Sequence, residues 1–423
     1  MINKNISSLK QSSTLLINEK VKELRRKGET IYHFGFGQSP FPIHPTIVEA
    51  LQENAQNNHY LPVAGLEKLR EQIAVFLKEH QAIETEKDSI FIGPGSKELL
   101  YQSILIFEGE YLIPKGSWVS YIPQIQSKGA KHHILETSFK NDFKLTPQIL
   151  DAFFKNEISE KQYILILNSP NNPTGAVYSD EEYKALASTC RKYNILVLSD
   201  EIYSQLNFYE PYSSSISKYY PEKTIVFGGL SKVFSAGGYR LGYMKLPKAL
   251  KELENIYKSL FSETFSCVSS PIQFAALTAY QYDLNIQNYV ADSSEILKHI
   301  SEYVYKELSE IKIQCTKSKG AFYMAIGFNA YKEEISKLGI TNSYDLANYV
   351  LENYTFAMLP GIDFGFKKEE LFFRIAFVDF DGKKVMKAFQ SNKIINTNFI
   401  RENAPNVFLG VEKIKQFISD LKS

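Results

Sequence analysis

The chain has 423 residues, 44% of them hydrophobic and 22% charged, with 48 lysines and arginines against 47 aspartates and glutamates. That length exceeds one ordinary core and calls for two domains, and a net charge of +1 gives no electrostatic case for a nucleic-acid or anionic-membrane partner. Three dispersed cysteines, Cys190, Cys267 and Cys315, form no CxxC pair, so neither a zinc site nor a disulfide framework is expected, and a reducing cytoplasm suits them.

Met1–Asn5 lacks the apolar core of a signal peptide, and no apolar run approaches the roughly 20 residues of a membrane helix. A polar arm leads into a helix over Leu15–Lys27, which Gly28 ends. Helical periodicity continues through Thr46–Asn57 and Leu66–Glu79. Short apolar runs follow at Ser89–Ile92, Glu110–Ile113, His132–Leu135, Tyr163–Leu167, Ile195–Leu198 and Thr224–Phe227, with a further one at Arg240–Lys245. Runs of this kind, separated by helices such as Ser96–Phe107 and Asp180–Tyr193, read as buried strands of a parallel α/β sheet. After a helical stretch near Lys248–Glu310 come strands at Gly320–Ile326 and Leu371–Phe377, and an amphipathic helix over Val411–Lys422 closes the chain.

Ligands of open α/β sheets sit at the carboxyl ends of strands, so the polar clusters that follow the apolar runs carry the functional reading. The first is Gly93-Pro94-Gly95-Ser96-Lys97, a strand-to-helix turn whose free N–H groups suit an anion, although a plain serine-capped turn would look the same. The second is Asn168-Ser169-Pro170-Asn171-Asn172-Pro173-Thr174-Gly175, where two prolines impose a rigid, non-helical path on two asparagines. Third comes Ser199-Asp200-Glu201-Ile202-Tyr203, a carboxylate at the tip of a very apolar strand, which needs a cation opposite it or serves as a helix cap. The fourth is Gly228-Gly229-Leu230-Ser231-Lys232, followed by Gly238-Tyr239-Arg240-Leu241-Gly242; a buried lysine there becomes a nucleophile if its neighbours lower its pKa.

In this order the clusters resemble the fold-type-I, pyridoxal-phosphate-dependent aminotransferases of class I/II, specifically the aspartate aminotransferase-like family, from about Ser12 to Phe377. The resemblance implies a three-layer α/β large domain with a mostly parallel sheet over residues 46–300. A smaller α+β domain would comprise residues 301–423, joined by the arm and segment 1–45. It implies that Lys232 carries the cofactor as a Schiff base and shuttles the substrate proton. Asp200 would pair with the pyridine nitrogen, while Tyr203 and Asn172 hold the ring oxygen. Gly95, Ser96, Lys97, Ser231 and Arg240 would surround the phosphate, and Trp118 would stack on the ring. Arg374 would clamp the substrate α-carboxylate, with Gly37 in the loop that closes over it. Tyr60 would reach the phosphate of a neighbouring subunit, which makes the active unit a homodimer.

The chain departs from the family at Gly229, where serine is common, at Tyr239, where tryptophan is common, and at Gly116, where proline is frequent. The implied reaction moves an α-amino group to a 2-oxo acid. Lys97, with Ser12 or Thr14, resembles the elements that read a distal carboxylate, so an acidic donor such as aspartate with 2-oxoglutarate is expected. Aromatic or other neutral donors remain an alternative, given 27 tyrosines and 29 phenylalanines. So does a lyase or synthase on the same fold. A non-catalytic regulator would be expected to have lost at least one of these residues. The seven histidines form no metal-spaced pair, and no metal is expected.

Overall fold

The structure, a computed structural model, describes residues 2–7, 9, 11, 13–155 and 161–422. Ahead of the main sheet lies the two-residue strand β1 (Tyr32–His33). Seven strands then build that sheet: β2 (Ile90–Gly93), β3 (Glu110–Pro114), β4 (His132–Leu135), β5 (Tyr163–Asn168), β6 (Leu196–Asp200), β7 (Thr224–Gly229) and β8 (Gly242–Lys245). Their order across the sheet is β2-β8-β7-β6-β5-β3-β4. Only β8 runs antiparallel to its neighbours, so the expected mostly parallel sheet is present.

Every residue of β5, β6 and β7 is buried. Alternation sends Leu165 and Val197 to one face, against Tyr183 and Leu186 of helix Asp180–Lys192. Ile164, Ile166 and Leu198 go to the other face, against Leu99, Leu100 and Ile104 of helix Ser96–Ile106. Helices thus cover both faces and make three layers. Helix Asp180–Lys192 starts where Ser179 and Glu182 form a reciprocal capping box, which satisfies two otherwise orphaned N–H groups.

A second sheet is antiparallel, in the order β12 (Leu359–Pro360), β13 (Phe372–Ala376), β10 (Tyr323–Gly327) and β9 (Gln314–Cys315). Early and late parts of the chain are tied together beside it. Strand β1 pairs in parallel with β11 (Phe356–Ala357), and Arg25 of helix Ser13–Arg26 meets Asp379 at 2.9 Å.

Several expected boundaries shift, among them the strand expected at Gly320–Ile326, which begins at Tyr323, and the helix expected at Val411–Lys422, which begins at Pro405. The helix read as Thr46–Asn57 spans Pro45–Glu53, and the helical stretch before Glu310 divides into Leu253–Ser262, Ser270–Gln281 and Leu284–Glu310. None of the helices among the described residues is long and apolar enough to cross a membrane.

Candidate active site

The register of the large sheet brings the polar strand ends side by side. Asn168 stands opposite Asp200, and Gly242 lies between Gly93 and Gly229. Asn168 is a clamp: its side chain donates to the Asp200 carbonyl at 2.8 Å and accepts the Asn172 N–H at 2.8 Å. Asn171 in turn accepts from the Thr174 amide and hydroxyl at 3.0 and 2.9 Å. The amides of the Asn-Pro segment are therefore structural pins, and they deliver Asn172 to the cleft.

Asp200 is 4% exposed. Burial pushes its pKa up to about 6, against the pull of the Tyr121 hydroxyl, which donates to Oδ2 at 2.7 Å, and of the Ile202 amide and Lys232. Burial thus makes this acid hold its proton more tightly than an exposed aspartate, and a cation facing it would favour the ionised form. Tyr121 also receives Trp118 edge-on, ring centroids 5.4 Å apart, and the Lys97 ammonium sits 4.8 Å over the Trp118 ring. Lys97, Trp118, Tyr121 and Asp200 thus form one contiguous wall.

Lys232 lies three residues beyond β7 and donates from Nζ to the Gly37 carbonyl at 2.9 Å. Burial first, and then the nearby Arg374 charge, lower its pKa to about 8. Arg374 enters from β13 and is 1% exposed. Its guanidinium donates to the Gly35 carbonyl and, at 3.4 Å, to the Asn172 side-chain oxygen, both neutral acceptors, while its Nε has no hydrogen-bond partner among the described residues. A buried guanidinium hydrogen-bonded to neutral groups, with the Asp363 charge acting on it but not hydrogen-bonded to it, is incompletely compensated for lost water, and an incoming carboxylate would add to that compensation. Tyr203, 3% exposed, shares a 2.9 Å hydroxyl–hydroxyl hydrogen bond with Tyr323.

At the sheet's other end Gly95, with φ +96°, opens helix Ser96–Ile106. Arg240 is anchored on the Gly237 and Pro94 carbonyls at 2.9 and 3.3 Å, and a Cβ at Gly95 would stand 2.5 Å from its Nη2. The positive φ favours glycine at 95, and without a Cβ there the Arg240 guanidinium lies beside the N-terminus of helix Ser96–Ile106, where positive charge and helix-terminal N–H groups suit an anion. Ser231 is half-buried beside Lys232. The common serine has no room at Gly229, where a Cβ would meet the Leu241 carbonyl at 2.8 Å.

The structure therefore gathers Gly37, Asn172, Asp200, Tyr203, Lys232 and Arg374 in one cleft, with Gly95, Ser96, Lys97, Trp118 and Arg240 along its sheet side. Tyr60 stands apart, 90% exposed. Thr14 has a buried hydroxyl without a hydrogen-bond partner among the described residues, and Ser12 lies outside them. Two residues were not anticipated as site members, Tyr121 and Tyr323. Tyr121 opens helix Tyr121–Lys128 while Trp118 lies in the preceding loop, so no helical spacing in the sequence links the two rings.

Comparison with known proteins decides what this arrangement belongs to. The family model "Aminotransferase class I and II" matches residues 29–390. The chain belongs to that family. Among its relatives, the aspartate aminotransferase of Bacillus subtilis (strain 168) is 33% identical over 86% of this chain and 91% of its own length. A probable aspartate/prephenate aminotransferase of Aquifex aeolicus (strain VF5) is 32% identical over 85% and 90%. In fold, the chain is similar to the Thermus thermophilus aspartate aminotransferase with maleate, with a TM-score of 0.84, 24% identity and coverage of 98% and 99%.

This protein is thus a pyridoxal-phosphate-dependent aminotransferase. Its residues fit the cofactor: a lysine with a lowered pKa, a buried acid whose pKa is raised, and a helix N-terminus at Gly95 where a Cβ would crowd the Arg240 guanidinium.

Proposed function

We propose that this aminotransferase takes the amino group of an acidic amino acid such as aspartate and passes it to 2-oxoglutarate. The observation that carries this reading is that, besides Arg240, which is assigned to the phosphate, and against Asp200, the positive charges of Arg374 and Lys97 both bear on Lys232. Two cations around one amine suit a substrate with two carboxylates. The relatives, which include aspartate aminotransferases of two Bacillus species and of Geobacillus stearothermophilus, support the same class.

When bound, pyridoxal phosphate supplies the electron sink for charge developing at the substrate α-carbon. Lys232 provides the amine that anchors it, then takes the α-proton and returns it. Its lowered pKa keeps a useful fraction of that amine neutral. Asp200, oriented by Tyr121, would keep a proton on the ring nitrogen. Tyr203 and Asn172 would hold the ring oxygen, and Trp118 would cover the ring. The turn at Gly95 with the backbone N–H groups of Ser96 and Lys97 would hold the phosphate, together with Ser231 and Arg240, while the Gly95 N–H itself donates to the Gly93 carbonyl at 2.7 Å. Arg374 turns its fork from Gly35 to the substrate α-carboxylate, and the Gly37 loop shuts out water.

The same reading divides the chain into a large cofactor-binding domain over 46–300 and a small domain of 1–45 with 301–423. Pairing of β1 with β11 and of Arg25 with Asp379 supports this division. The active unit is a homodimer in which Tyr60 reaches the neighbour's phosphate, a role that suits its exposure. The cytoplasm is the proposed compartment, in keeping with three unpaired cysteines.

Single-turnover half-reactions with aspartate, glutamate, phenylalanine and tyrosine test the assignment, read as conversion of bound cofactor to its pyridoxamine form. Aspartate is expected to exceed phenylalanine in kcat/KM by roughly tenfold or more, about 1.4 kcal/mol of transition-state binding. Faster conversion by phenylalanine would overturn the acidic reading. Consumption of donor with no pyridoxamine phosphate formed would point to a lyase.

A further inference from the structure

Tyr323 is buried to 1% and lies on β10, where its neighbour Ala325 stands opposite Arg374 and Tyr323 itself stands opposite Ala376. Residues two apart on one strand share a face, so Tyr323 and Arg374 are diagonal neighbours on the same side of the sheet. The Arg374 guanidinium accordingly lies 4.7 Å over the Tyr323 ring. At its other end the Tyr323 hydroxyl meets two groups, the Tyr203 hydroxyl at 2.9 Å and the Gly37 carbonyl at 3.3 Å. The same carbonyl accepts from Lys232. The ring also fills the space over Gly37, where a Cβ would lie 2.2 Å from the Tyr323 hydroxyl oxygen. One side chain therefore touches the carboxylate fork, the closing loop and the phenol assigned to the cofactor's ring oxygen.

We propose that Tyr323 is a positioning residue for this reaction: its hydroxyl donates to Tyr203 and sharpens Tyr203 as a donor, while its ring fixes the Arg374 fork. The proposal rests on the assignment of Tyr203 and Arg374 made above. The direction of the hydrogen bond follows from competition for one hydrogen. A tyrosine hydroxyl has a single hydrogen to give, and its two acceptors here differ in access to water. Gly37 is half-buried in a loop at the cleft, so water can serve its carbonyl, whereas the Tyr203 oxygen is enclosed. Once Tyr203 commits its own hydrogen to the cofactor oxygen, its lone pairs are left for Tyr323. A chain of two O–H donors polarises along its length, and the second becomes the stronger donor. The ring contributes separately: it stacks on the guanidinium and limits the angles at which the fork meets a carboxylate.

The two parts are separable by substitution. Tyr323→Phe keeps the ring over Arg374 and removes only the hydroxyl, and Tyr323→Leu removes both. The first readout is the pH at which the bound cofactor's visible absorption changes, because donation to the ring oxygen sets that pH. Tyr323→Phe is expected to raise it by about half a unit to one unit, as for the loss of one hydrogen bond in a buried network, with KM for the amino donor changed less than about threefold. Tyr323→Leu is expected to give the same spectral shift and to raise KM by roughly tenfold or more through the loosened fork.

Tyr203→Phe is the control. If it leaves the spectral transition unmoved, the assignment of Tyr203 fails. If Tyr203→Phe moves the transition and Tyr323→Phe does not, the assignment stands and the proposal for the hydroxyl is overturned. Equal KM values in Tyr323→Leu and the native enzyme would overturn the proposal for the ring. Cofactor content and the thermal unfolding midpoint of each variant separate these outcomes from simple misfolding.

Discussion

Lys232 gives up its proton more readily than an exposed lysine, because burial removes the water that would solvate the ammonium and Arg374 repels it. The consequence is measurable on the cofactor-free protein. Covalent capture of added pyridoxal phosphate, which needs the neutral amine, should accelerate as pH rises through about 8, well below the ordinary lysine value of 10.5. Stopped-flow absorbance against pH checks this, and a midpoint near 10.5 would remove burial as the activating force.

Asp200 is shifted in the opposite sense for the same reason. Next to it Glu201 is 2% exposed and has no part in the proposed chemistry; it accepts from Ser199 at 2.8 Å and from Ser215 at 2.6 Å. Burial raises its pKa to about 7, with Lys245 pulling it down only in part. The folded chain therefore holds this proton more tightly than the unfolded chain does. Its contribution to stability is complete below the unfolded value of 4.5 and is lost as pH climbs through 7. Glu201→Gln, which can still accept from both serines, should flatten that decline. Between pH 4.5 and 7 the difference in unfolding free energy between native and variant should change by about 3 kcal/mol, as the shift of 4.5 to 7 implies. Chemical denaturation at several pH values measures it, and parallel curves would refute it.

At the scale of elements, the strands of the large sheet are legible in the sequence because both of their faces are covered, so they read as unbroken apolar runs. Their ends are less so. The apolar run stops at Leu198, yet β6 continues through Ser199 to Asp200, since pairing with β5 and β7 carries polar residues to the sheet's edge. Lys232, Asp200, Asn172 and Arg374 are legible through motif order. Tyr121 and Tyr323 are not, because neither sits in a motif. Tyr121 gains its part only when a helix following β3 lies against the tip of β6, and Tyr323 only when β10 pairs with β13. Local patterning has no access to such juxtapositions. The capping box at Ser179 shows the opposite case, a device written in four consecutive residues and formed as written.

For the whole molecule, the exposed Tyr60 and the half-buried Lys232 pose a question of assembly. If each site borrows Tyr60 from the other subunit, two crippled variants should complement one another. Tyr60→Ala and Lys232→Ala homodimers should each be weak or inactive, whereas mixed and reassociated subunits should recover activity. One of the two sites in the hybrid then has both an intact lysine and an intact tyrosine. No recovery on mixing, with hybrids verified by native mass spectrometry, would place Tyr60 outside the partner's site.

The parallel pairing of Tyr32–His33 with Phe356–Ala357 also governs the order in which the chain can mature. During vectorial synthesis the segment around residue 32 leaves the ribosome long before its partner exists. The central sheet can condense while this early segment waits. The Gly35 and Gly37 carbonyls that Arg374 and Lys232 engage lie just beyond it, so the cleft takes shape only near the end of translation.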